Sequence, residues 1–412
     1  MIRLAIFADS FPSRSETFVI NQVMALIDLG VDVTILSVYR GDMNLLEQRH
    51  LKPYQLATRT RYLLEESPKS GALHKLIKRA KQALFAPAPF TLLNTAKRLA
   101  LPLARLKLLA CASALKQQNT RFDWIVCHFG HNGVFAQQLR QLGLLQGNIA
   151  TIFHGADISA VTPSDAIGKA YRAMLASTEL ALPISELWAQ QVRQLGALEH
   201  NIVVQRMGVE LKRFEYAFLP HGREPLKVFC AARFSEKKGL LDAIDAIALA
   251  AEQVDIHFEL GGFGELDTQI KARIEAHQLS NYITLLGPLS SEQVQQKLSQ
   301  AHVYLLPSIT ASNGDREGVP VALMEAMASG CVVVSTLHSG IPELIEHNHS
   351  GLLAPEKAPQ VLAEYLIALA GDDALRLRLA THAREKVTWF SDIDTLNSQL
   401  LDELTRRLKG TQ

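Results

Sequence analysis

Two glutamates eight positions apart, Glu317 and Glu325, are the residues of this sequence best placed to do chemistry. Glu317 lies in a polar loop that contains glycine, and Glu325 lies in an apolar run of helical period. Because Pro320 suits the first turn of a helix, we expect Glu317 just before that helix and Glu325 roughly two turns inside it. Backbone N–H groups at a helix start bind anions. Two carboxylates that can bind hydroxyl groups beside an anion site suit a sugar joined to a phosphate.

The alternative is that both glutamates are solvated surface acids, which their spacing alone does not exclude. A carboxylate buried among apolar side chains is costly unless it has partners. The neighbours of Glu325 therefore favour a functional role, because they are apolar: Leu323, Met324, Ala326, Met327 and Ala328.

Two cations follow an apolar, strand-like run in the second half of the chain. Arg233 and Lys238 lie in the loop after residues 226–231. Ligands of open α/β sheets bind at the carboxyl ends of strands. The donor fork of arginine and the point charge of lysine together suit a diphosphate. The alternative, a basic surface loop, is weakened by the glutamate pair.

A glycine-rich turn follows the next predicted strand and contains Gly262 and Gly264. Glycine lets a backbone approach a ligand closely, although a tight strand-to-helix turn requires the same residues. Pro288 follows a further predicted strand. No dinucleotide fingerprint and no Walker A sequence is present, so these residues are supporting candidates only.

The first half of the chain holds a second group of candidates. Ser15, Glu16 and Thr17 follow the first predicted strand. Ser15 or Thr17 could cap a helix whose N-terminus faces a phosphate, whereas Glu16 could contact substrate hydroxyls or act as the cap. His154 and His128 each end a predicted strand, where a lone histidine is usually structural.

The segment from 317 to 330 closely resembles the signature of the retaining glycosyltransferases of family four, which have the GT-B fold. The family also carries arginine, four residues and Lys-Gly, as at Arg233 and Lys238. The Ser-Glu-Thr-Phe loop lacks the glycines of many relatives and is similar to the bacterial exopolysaccharide and colanic-acid-type subgroup. The family pattern Glu-Gly-x-Pro followed by Glu-Ala-x-Ala-x-Gly is complete here: Glu317, Gly318, Pro320, Glu325, Ala326, Ala328 and Gly330.

The resemblance implies a nucleotide diphosphate sugar as donor. Glu317 would bind hydroxyls of the donor sugar, and Glu325 the ribose hydroxyls. Arg233 and Lys238 would hold the diphosphate and stabilise its departure, which is electrostatic catalysis. Further donor-binding candidates are Gly262, Gly264, Pro288, Gly318 and Val319.

The resemblance also implies how the reaction runs. His154 would lie near the transferred sugar and polarise the reaction centre. His128 is a candidate for contacting the acceptor because of its place at the end of the preceding strand, and not because of the resemblance. The family has no firmly assigned protein nucleophile, unlike retaining hydrolases with two carboxylates, and same-face substitution by internal return is the favoured account. Because cations replace a metal, we expect neither a metal nor a further cofactor.

Short apolar runs alternate with helical patterns, which predicts parallel sheets covered by helices. Two such sets predict two doubly wound, Rossmann-like domains: an acceptor-binding domain over 1–207 and a nucleotide-sugar-binding domain over 208–386. By resemblance to GT-B enzymes, the domains face a cleft and a tail over 387–412 crosses back onto the first. The predicted strands are 3–8, 31–37, 123–127, 150–154, 180–184, 202–205, 226–231, 255–261, 282–286, 303–306 and 331–335.

The net charge of +1 hides an asymmetry. Residues 51–121 hold 14 Lys or Arg and two acids, a net charge of +12. Within them, 73–81 and 97–109 mix cations with leucine at helical spacing, which is typical of amphipathic helices on an anionic membrane surface. The alternative is a pair of helices packed on the first domain. We expect no nucleic-acid partner, since no recognition motif appears.

The composition is that of a globular protein, with 48% hydrophobic and 20% charged residues over 412 positions. We expect neither a membrane-spanning helix nor a signal peptide. The four cysteines have no disulfide or metal-ligand spacing, which indicates a reducing compartment. We therefore expect a cytoplasmic protein, peripheral at the inner face of the plasma membrane.

The leading hypothesis is retaining transfer of a hexose, with a UDP-sugar favoured over GDP-mannose. The acceptor would be an oligosaccharide linked to undecaprenyl diphosphate, in the synthesis of an exopolysaccharide or lipopolysaccharide. One alternative is a scaffold protein that binds nucleotide sugars without turnover, which the intact set of candidate residues argues against. Another is a different GT-B reaction such as phosphorolysis, and the basic segment favours a lipid-linked acceptor over that reaction.

Overall fold

Short apolar runs of the sequence form two parallel β-sheets of six strands each. The structure, a computed structural model, describes residues 2–13, 16–66, 70–86, 89, 92, 105–115, 120–220, 222 and 224–410. The chain divides into two units with one sheet in each. The N-terminal unit is Met1–Ile184 with Trp188–Gln205 and Asn397–Gln412, and the C-terminal unit is Ser185–Leu187 with Arg206–Leu396.

The N-terminal sheet is doubly wound. Its strands are β1 Arg3–Phe11, β2 Asp32–Arg40, β3 Thr60–Tyr62, β4 Arg121–His128, β5 Gln146–Phe153 and β6 Leu180–Pro183. Their spatial order is β3-β2-β1-β4-β5-β6, which reverses direction between β1 and β4. The helices along this part of the chain are α1 Thr17–Asp28, α2 Leu56–Arg59, α3 Ala72–Ala83, α4 Arg105–Leu115, α5 Gly130–Gln141, α6 Ala166–Leu175 and α7 Glu186–Gln194.

The C-terminal sheet has the same winding. Its strands are β7 Leu226–Ala231, β8 Ile256–Gly261, β9 Ile283–Gly287, β10 Val303–Leu305, β11 Val332–Thr336 and β12 Leu352–Ala354. Their spatial order is β12-β11-β10-β7-β8-β9, so the reversal lies between β7 and β10. The helices here are α8 Leu240–Ala251, α9 Asp267–Ala276, α10 Ser291–Leu298, α11 Val321–Ser329, α12 Ile341–Leu344, α13 Pro359–Gly371 and α14 Asp373–Phe390, followed by α15 Ile393–Gly410.

The central strands are buried on both faces, which explains their continuous apolar character. Leu4, Ile6 and Phe7 of β1 are completely buried, as are Phe258 of β8 and Leu305 of β10. Burial of one such side chain contributes about 1.5–3 kcal/mol. Because the strands of each sheet are parallel, their carboxyl ends lie at the same end of the sheet. The loops that follow the strands are therefore gathered there.

The predicted fold class is confirmed, with corrections to its details. The sequence does not predict β3 and β12, because strands of three residues are too short to show a period. The predicted strand over 202–205 is wrong, since Ile202 forms only an isolated bridge with Ala181. Of the predicted basic helix over 97–109, residues 105–109 belong to α4, and 97–104 lie outside the described residues.

The end of the chain contributes to both units. Helix α14 belongs to the C-terminal unit, whereas residues from Asn397 onward group with the N-terminal unit. Within that unit, the indole Nε1 of Trp124 donates a 3.0 Å hydrogen bond to the carbonyl oxygen of Leu404 in α15. No helix within the described residues has the length and apolar character needed to cross a membrane.

Candidate active site

The two glutamates lie in the loop after β10 and in helix α11. Pro320 is the N-cap of α11 and Val321 its first residue, so the proline stands one position earlier than predicted. Glu317 is a loop residue before this cap. Glu325 lies just over one turn into the helix, rather than two. Both residues are therefore close to the helix start, where backbone N–H groups lack partners within the helix.

Glu317 forms an ion pair with Lys238, with 2.8 Å between Oε1 and Nζ. The pairing crosses 79 positions of sequence and arises because β7 and β10 are neighbours in the sheet. The two side chains are only 9% and 17% exposed. Salt screens such a shielded pair much less than a surface pair. The structure thus brings together a carboxylate and a cation that the sequence predicts separately.

The two glutamates differ in ionisation. Burial by itself would raise the pKa of Glu317, but the ammonium groups of Lys238 and Lys237 outweigh it and hold the pKa below its ordinary value. Burial raises the pKa of Glu325 to about 7, against the opposing charge of Arg213. At neutral pH, Glu317 is therefore a carboxylate, whereas Glu325 is present in both ionised and neutral forms.

The loop that carries Lys238 is fixed by its neighbours. The Nζ atom of Lys237 lies 3.0 Å from Oδ2 of Asp315, in the same loop as Glu317. Gly239 has a φ of +63°, and a Cβ at this position would overlap the carbonyl oxygen of Pro307. Only glycine combines this conformation with so close an approach. The packing against Pro307 therefore explains why a glycine follows Lys238.

Arg233 and Pro288 are exposed at the carboxyl ends of β7 and β9. Among the described residues, no carboxylate lies within ion-pair distance of the Arg233 guanidinium. Of the two cations in the loop after β7, Lys238 is already paired with Glu317. Arg233 is therefore the one that is free to bind an anion. Its predicted role in holding a diphosphate stays a prediction.

The glycine turn after β8 supports the loop after β7. Gly262 has a φ of +140°, and a Cβ there would overlap the carbonyl oxygen of Ala232. A Cβ at Gly264 would collide with the backbone of Phe234. This backbone packing is enough to explain why both positions are glycine, whether or not a ligand binds there. Their predicted contact with the donor remains a prediction.

Gly318 and Val319 are buried between Glu317 and helix α11. A Cβ at Gly340 would lie 2.8 Å from Cγ2 of Val319 and 3.1 Å from the carbonyl oxygen of Gly318. The segment is therefore packed closely against the start of α12. This close packing restricts the backbone that follows Glu317.

His128 and His154 form a stacked pair in the N-terminal unit. His128 ends β4 and His154 follows β5. Nδ1 of His128 and Nε2 of His154 are 3.1 Å apart, and the ring planes differ by 19°. One ring nitrogen must donate and the other accept in this hydrogen bond. The two histidines, which the sequence predicts separately, thus act as one group.

Both rings are neutral at neutral pH. Burial lowers the pKa of His128 to about 3. Burial first, and then the charges of His128 and His131, lower the pKa of His154 well below its ordinary value. A neutral imidazole donates or accepts a hydrogen bond without a positive charge. The pair is therefore suited to contacting a hydroxyl group rather than an anion.

Three residues that the sequence does not single out hold His154 in place. The carboxylate of Asp157 accepts hydrogen bonds from the backbone nitrogens of His154 at 2.9 Å and Gly130 at 2.6 Å. Burial raises the pKa of Asp157 to about 6, although these N–H groups oppose the shift. The rings of Phe18 and Phe129 lie 4.7 and 4.5 Å from the His154 ring. The spacing of Asp157 three residues after His154 is the one local signal for this arrangement.

Glu16 is the N-cap residue of α1, but its side chain makes no capping hydrogen bond. The capping alternative is therefore wrong for this side chain. Burial, followed by the negative charge of Asp9, raises the pKa of Glu16 to about 7. Thr17 is the first helical residue and not the cap, and Ser15 lies outside the described residues. A contact between Glu16 and substrate hydroxyls stays a prediction.

Within the described ranges, no group of three or more His, Cys, Asp or Glu is arranged to hold a metal ion. The four cysteines are buried and free: Cys111, Cys127, Cys230 and Cys331.

Comparison with known sequences identifies the family. The sequence profile described as "Glycosyl transferases group 1" matches residues 213–386, which include both glutamates and both cations. The chain is 41% identical over 393 residues to the amylovoran biosynthesis glycosyltransferase AmsK of Erwinia amylovora, covering 94% of this chain and 95% of that one. The chain belongs to this family of glycosyltransferases. It is also 40% identical over 405 residues to WcaL of Escherichia coli (strain K12), named for colanic acid biosynthesis, covering 97% and 98% of the two chains.

Solved structures of glycosyltransferases share the fold at low identity. Sucrose-phosphate synthase from Thermosynechococcus elongatus superposes with a TM-score of 0.74 at 17% identity, covering 100% of both chains. HepE of Anabaena, solved in complex with UDP and glucose, gives 0.70 at 18% identity, covering 98% of this chain and 100% of that one. The GT-B fold predicted from the sequence is confirmed for this glycosyltransferase.

Proposed function

We propose that this glycosyltransferase moves a hexose from a nucleotide diphosphate sugar to an exopolysaccharide precursor, with retention at the anomeric carbon. The observation that carries the proposal is the shielded Lys238–Glu317 ion pair, together with the exposed guanidinium of Arg233 in the loop that also carries Lys238. Relatives at about 40% identity, named for amylovoran and colanic acid biosynthesis, support the product class.

The donor in this proposal is a UDP-hexose, with GDP-mannose as the rival. The HepE structure holds UDP and glucose. A mannosyltransferase named as GDP-mannose-dependent, from Mycobacterium tuberculosis (strain CDC 1551 / Oshkosh), is 28% identical over 182 residues, 43% of this chain. Because these relatives differ in nucleotide, the base is a question for binding measurements.

The proposed reaction assigns separate tasks to the charged residues. Arg233 and Lys238 bind the diphosphate, Glu317 accepts hydrogen bonds from hydroxyls of the donor sugar, and Glu325 binds the ribose hydroxyls. The bond between the anomeric carbon and the diphosphate oxygen breaks, and the acceptor oxygen bonds to the same face. The acceptor proton passes to the departing diphosphate. The cations stabilise the charge that develops there.

We propose that positive charge from the protein takes the place of a metal ion. Arg233, Lys238 and the N-terminus of α11 supply that charge. Turnover should then survive millimolar EDTA, with the rate measured before and after readdition of Mg²⁺ or Mn²⁺. Loss of turnover in EDTA and recovery with either ion would refute metal independence.

The acceptor is proposed to be linked to undecaprenyl diphosphate, at the inner face of the plasma membrane. Helix α3 supports this proposal, because it combines four cations with an exposed apolar face. The cations are Lys75, Lys78, Arg79 and Lys81, of which Arg79 is ion-paired with the buried Glu66 at 2.6 Å. The exposed side chains, in the helix and just after it, are Leu73, Leu76, Ile77, Leu84 and Phe85, at 55–78% exposure.

An anionic bilayer fits both features of α3, since cations attract its headgroups and apolar side chains enter its surface. Co-sedimentation with phosphatidylglycerol vesicles should fall in a Leu76→Ser/Ile77→Ser variant and in high salt. A matched Leu198→Ser variant, which changes an exposed leucine elsewhere in the N-terminal unit, should bind like the wild type. Equal binding by all three proteins would refute this surface as the membrane contact.

A thermal-shift screen with UDP, GDP, ADP and their common sugars tests the donor class. A ligand that binds only the folded protein raises the unfolding midpoint by mass action. One nucleotide should stabilise the protein, and Arg233→Ala should remove most of that shift. If no nucleotide raises the unfolding midpoint at millimolar concentration, the proposed donor binding by the isolated protein is refuted. That result would favour a scaffold protein, or a donor site that forms only when the membrane acceptor is present. Proton NMR of the first product then reads whether the anomeric configuration is retained.

A further inference from the structure

We infer that His338 and Glu356 are positioning residues that hold Glu317 in place for the donor sugar, an inference that rests on the function proposed above. His338 follows β11, and Glu356 follows β12. Both strands lie on one side of β10, whose following loop carries Glu317. The two residues therefore approach Glu317 from a different side than Lys238, which follows β7.

A continuous series of hydrogen bonds joins these residues. The backbone nitrogen of Glu317 donates to Nε2 of His338 at 3.0 Å. Nδ1 of the same ring lies 2.6 Å from Oε1 of Glu356. Glu356 in turn accepts from the backbone nitrogen of Thr310 at 2.8 Å and from its hydroxyl at 3.2 Å. Thr310 belongs to the same loop as Glu317, so the series holds this loop at two points.

The direction of these bonds fixes the state of the imidazole. A backbone N–H can only donate, so Nε2 of His338 must be the acceptor and carry no proton. The proton of the neutral ring then lies on Nδ1 and is donated to Glu356. Glu356 thus selects the one tautomer that can receive the Glu317 N–H. The His338 side chain is completely buried, which excludes water as a competing partner.

The next residue holds the other polar group of the Glu317 backbone. The hydroxyl of Ser339 donates to the carbonyl oxygen of Glu317 at 2.6 Å. Ser339 has a φ of +50°, which is uncommon for a residue with a Cβ and persists only where its surroundings require it. His338 and Ser339 therefore fix the peptide groups on both sides of the Glu317 side chain. The carboxylate that Lys238 neutralises is held in one position.

Three variants separate positioning from general support of the fold. His338→Leu removes the acceptor, whereas His338→Gln places an amide oxygen near the former Nε2 atom. His347→Leu is the matched control, because His347 in the same unit accepts a backbone N–H from Leu353 at 3.0 Å. Glu356→Gln tests the tautomer without removing the ring, should His338→Leu fail to fold.

Calorimetric affinities for UDP, UDP-glucose, GDP and GDP-mannose provide the first measurement. The quantity compared is the affinity for the preferred nucleotide sugar divided by the affinity for its free nucleotide. In His338→Leu this ratio should fall about tenfold, as expected for a small displacement of a binding group. Affinity for the free nucleotide should change less than about threefold. His338→Gln should recover most of the loss, Glu356→Gln should show part of it, and His347→Leu none. Equal losses for nucleotide and nucleotide sugar, or no loss, would overturn the inference.

Hydrogen exchange at the Glu317 amide provides a second measurement that needs no ligand. Exchange should be slow in the wild type and in His338→Gln, and fast in His338→Leu. If the wild type binds none of the four ligands, the proposed donor function fails, and exchange alone decides whether His338 positions Glu317. Fast exchange in the wild type, or an Nε2-protonated ring in ¹⁵N spectra of labelled histidine, would overturn the inference by itself.

Discussion

Replacement of Lys238 by methionine should destabilise the C-terminal unit because it leaves the Glu317 carboxylate without its nearest counter-charge. Loss of one partner from a buried ion pair costs about 3–5 kcal/mol. The pair here is 9% and 17% exposed, and Lys237 also acts on Glu317. We therefore expect a smaller cost of about 2–3 kcal/mol. For a unit of this size that cost lowers the melting temperature by about 4–12 °C.

The effect should depend on pH with a definite sign. The pKa of Glu317 in the folded wild type lies below its ordinary value of 4.5. Its stabilising contribution is therefore complete above that value and is lost as pH falls through the lower folded pKa. In Lys238→Met, burial raises the pKa of Glu317, so the carboxyl takes up a proton at a higher pH. The stability deficit should shrink as pH falls from about 7.5 to about 5.

Thermal unfolding at both pH values tests this reasoning in the four proteins of a double-mutant cycle: the wild type, Lys238→Met, Glu317→Gln and the double variant. Glu317→Gln in the Lys238→Met background should recover most of the lost stability, since a neutral amide needs no cation, and the double-mutant cycle should give a coupling of about 2 kcal/mol. Lys271→Met is the matched control, because its pair with Asp267 is exposed and is expected to contribute at most about 0.5 kcal/mol. A deficit that is the same at both pH values, or a cycle without coupling, would refute the proposed electrostatic role.

Three further predictions concern other residues of the site. Arg233→Ala should leave the melting temperature unchanged, because the side chain is exposed, but weaken nucleotide diphosphate binding by about 10–100-fold in calorimetry; unchanged affinity would contradict its role. Glu325→Gln should raise the melting temperature at about pH 8 and not at about pH 5, because a raised pKa of about 7 means that stability falls as pH rises toward and through that value. Asp157→Asn should lower the free energy of unfolding by about 1–3 kcal/mol in thermal unfolding. The two carboxylate oxygens of Asp157 each accept one backbone N–H, from Gly130 and from His154, whereas asparagine has only one acceptor oxygen. A stable Asp157→Asn variant would show that these backbone bonds contribute little.

The sequence predicts the layers of the fold well because each buried strand is a local apolar run. The strand β1 illustrates this, since its residues 4–8 are apolar in sequence and buried in the structure. Length limits the prediction at the sheet edges, where β3 and β12 have three residues each. The helix start at Pro320 is predicted to within one residue, because proline restricts its own backbone.

The site is less predictable than the fold, because its contacts cross between strands. Lys238 and Glu317 are each predicted as site residues from their local patterns, but nothing local indicates that they form an ion pair. His338 and Glu356 follow short apolar strands and lie outside the family signature over 317–330. Their roles depend on which strands are neighbours in the sheet, a property of the topology rather than of any short segment.

The two glutamates of the family signature lie on one segment, Glu317 buried and Glu325 partly buried, yet their surroundings give them opposite ionisation tendencies. Two lysines hold the pKa of Glu317 below its ordinary value, while burial raises that of Glu325 to about 7. A carboxylate accepts hydrogen bonds only, whereas a carboxylic acid also donates one. Glu317 is therefore restricted to partners that donate, such as sugar hydroxyls, and it brings no uncompensated negative charge toward a diphosphate. Glu325 can adjust its proton to its partner, and hydroxyls that donate to it would favour its ionised form. The positions of the cations, rather than the glutamates alone, thus determine which carboxylate could lie beside a donor phosphate without repelling it.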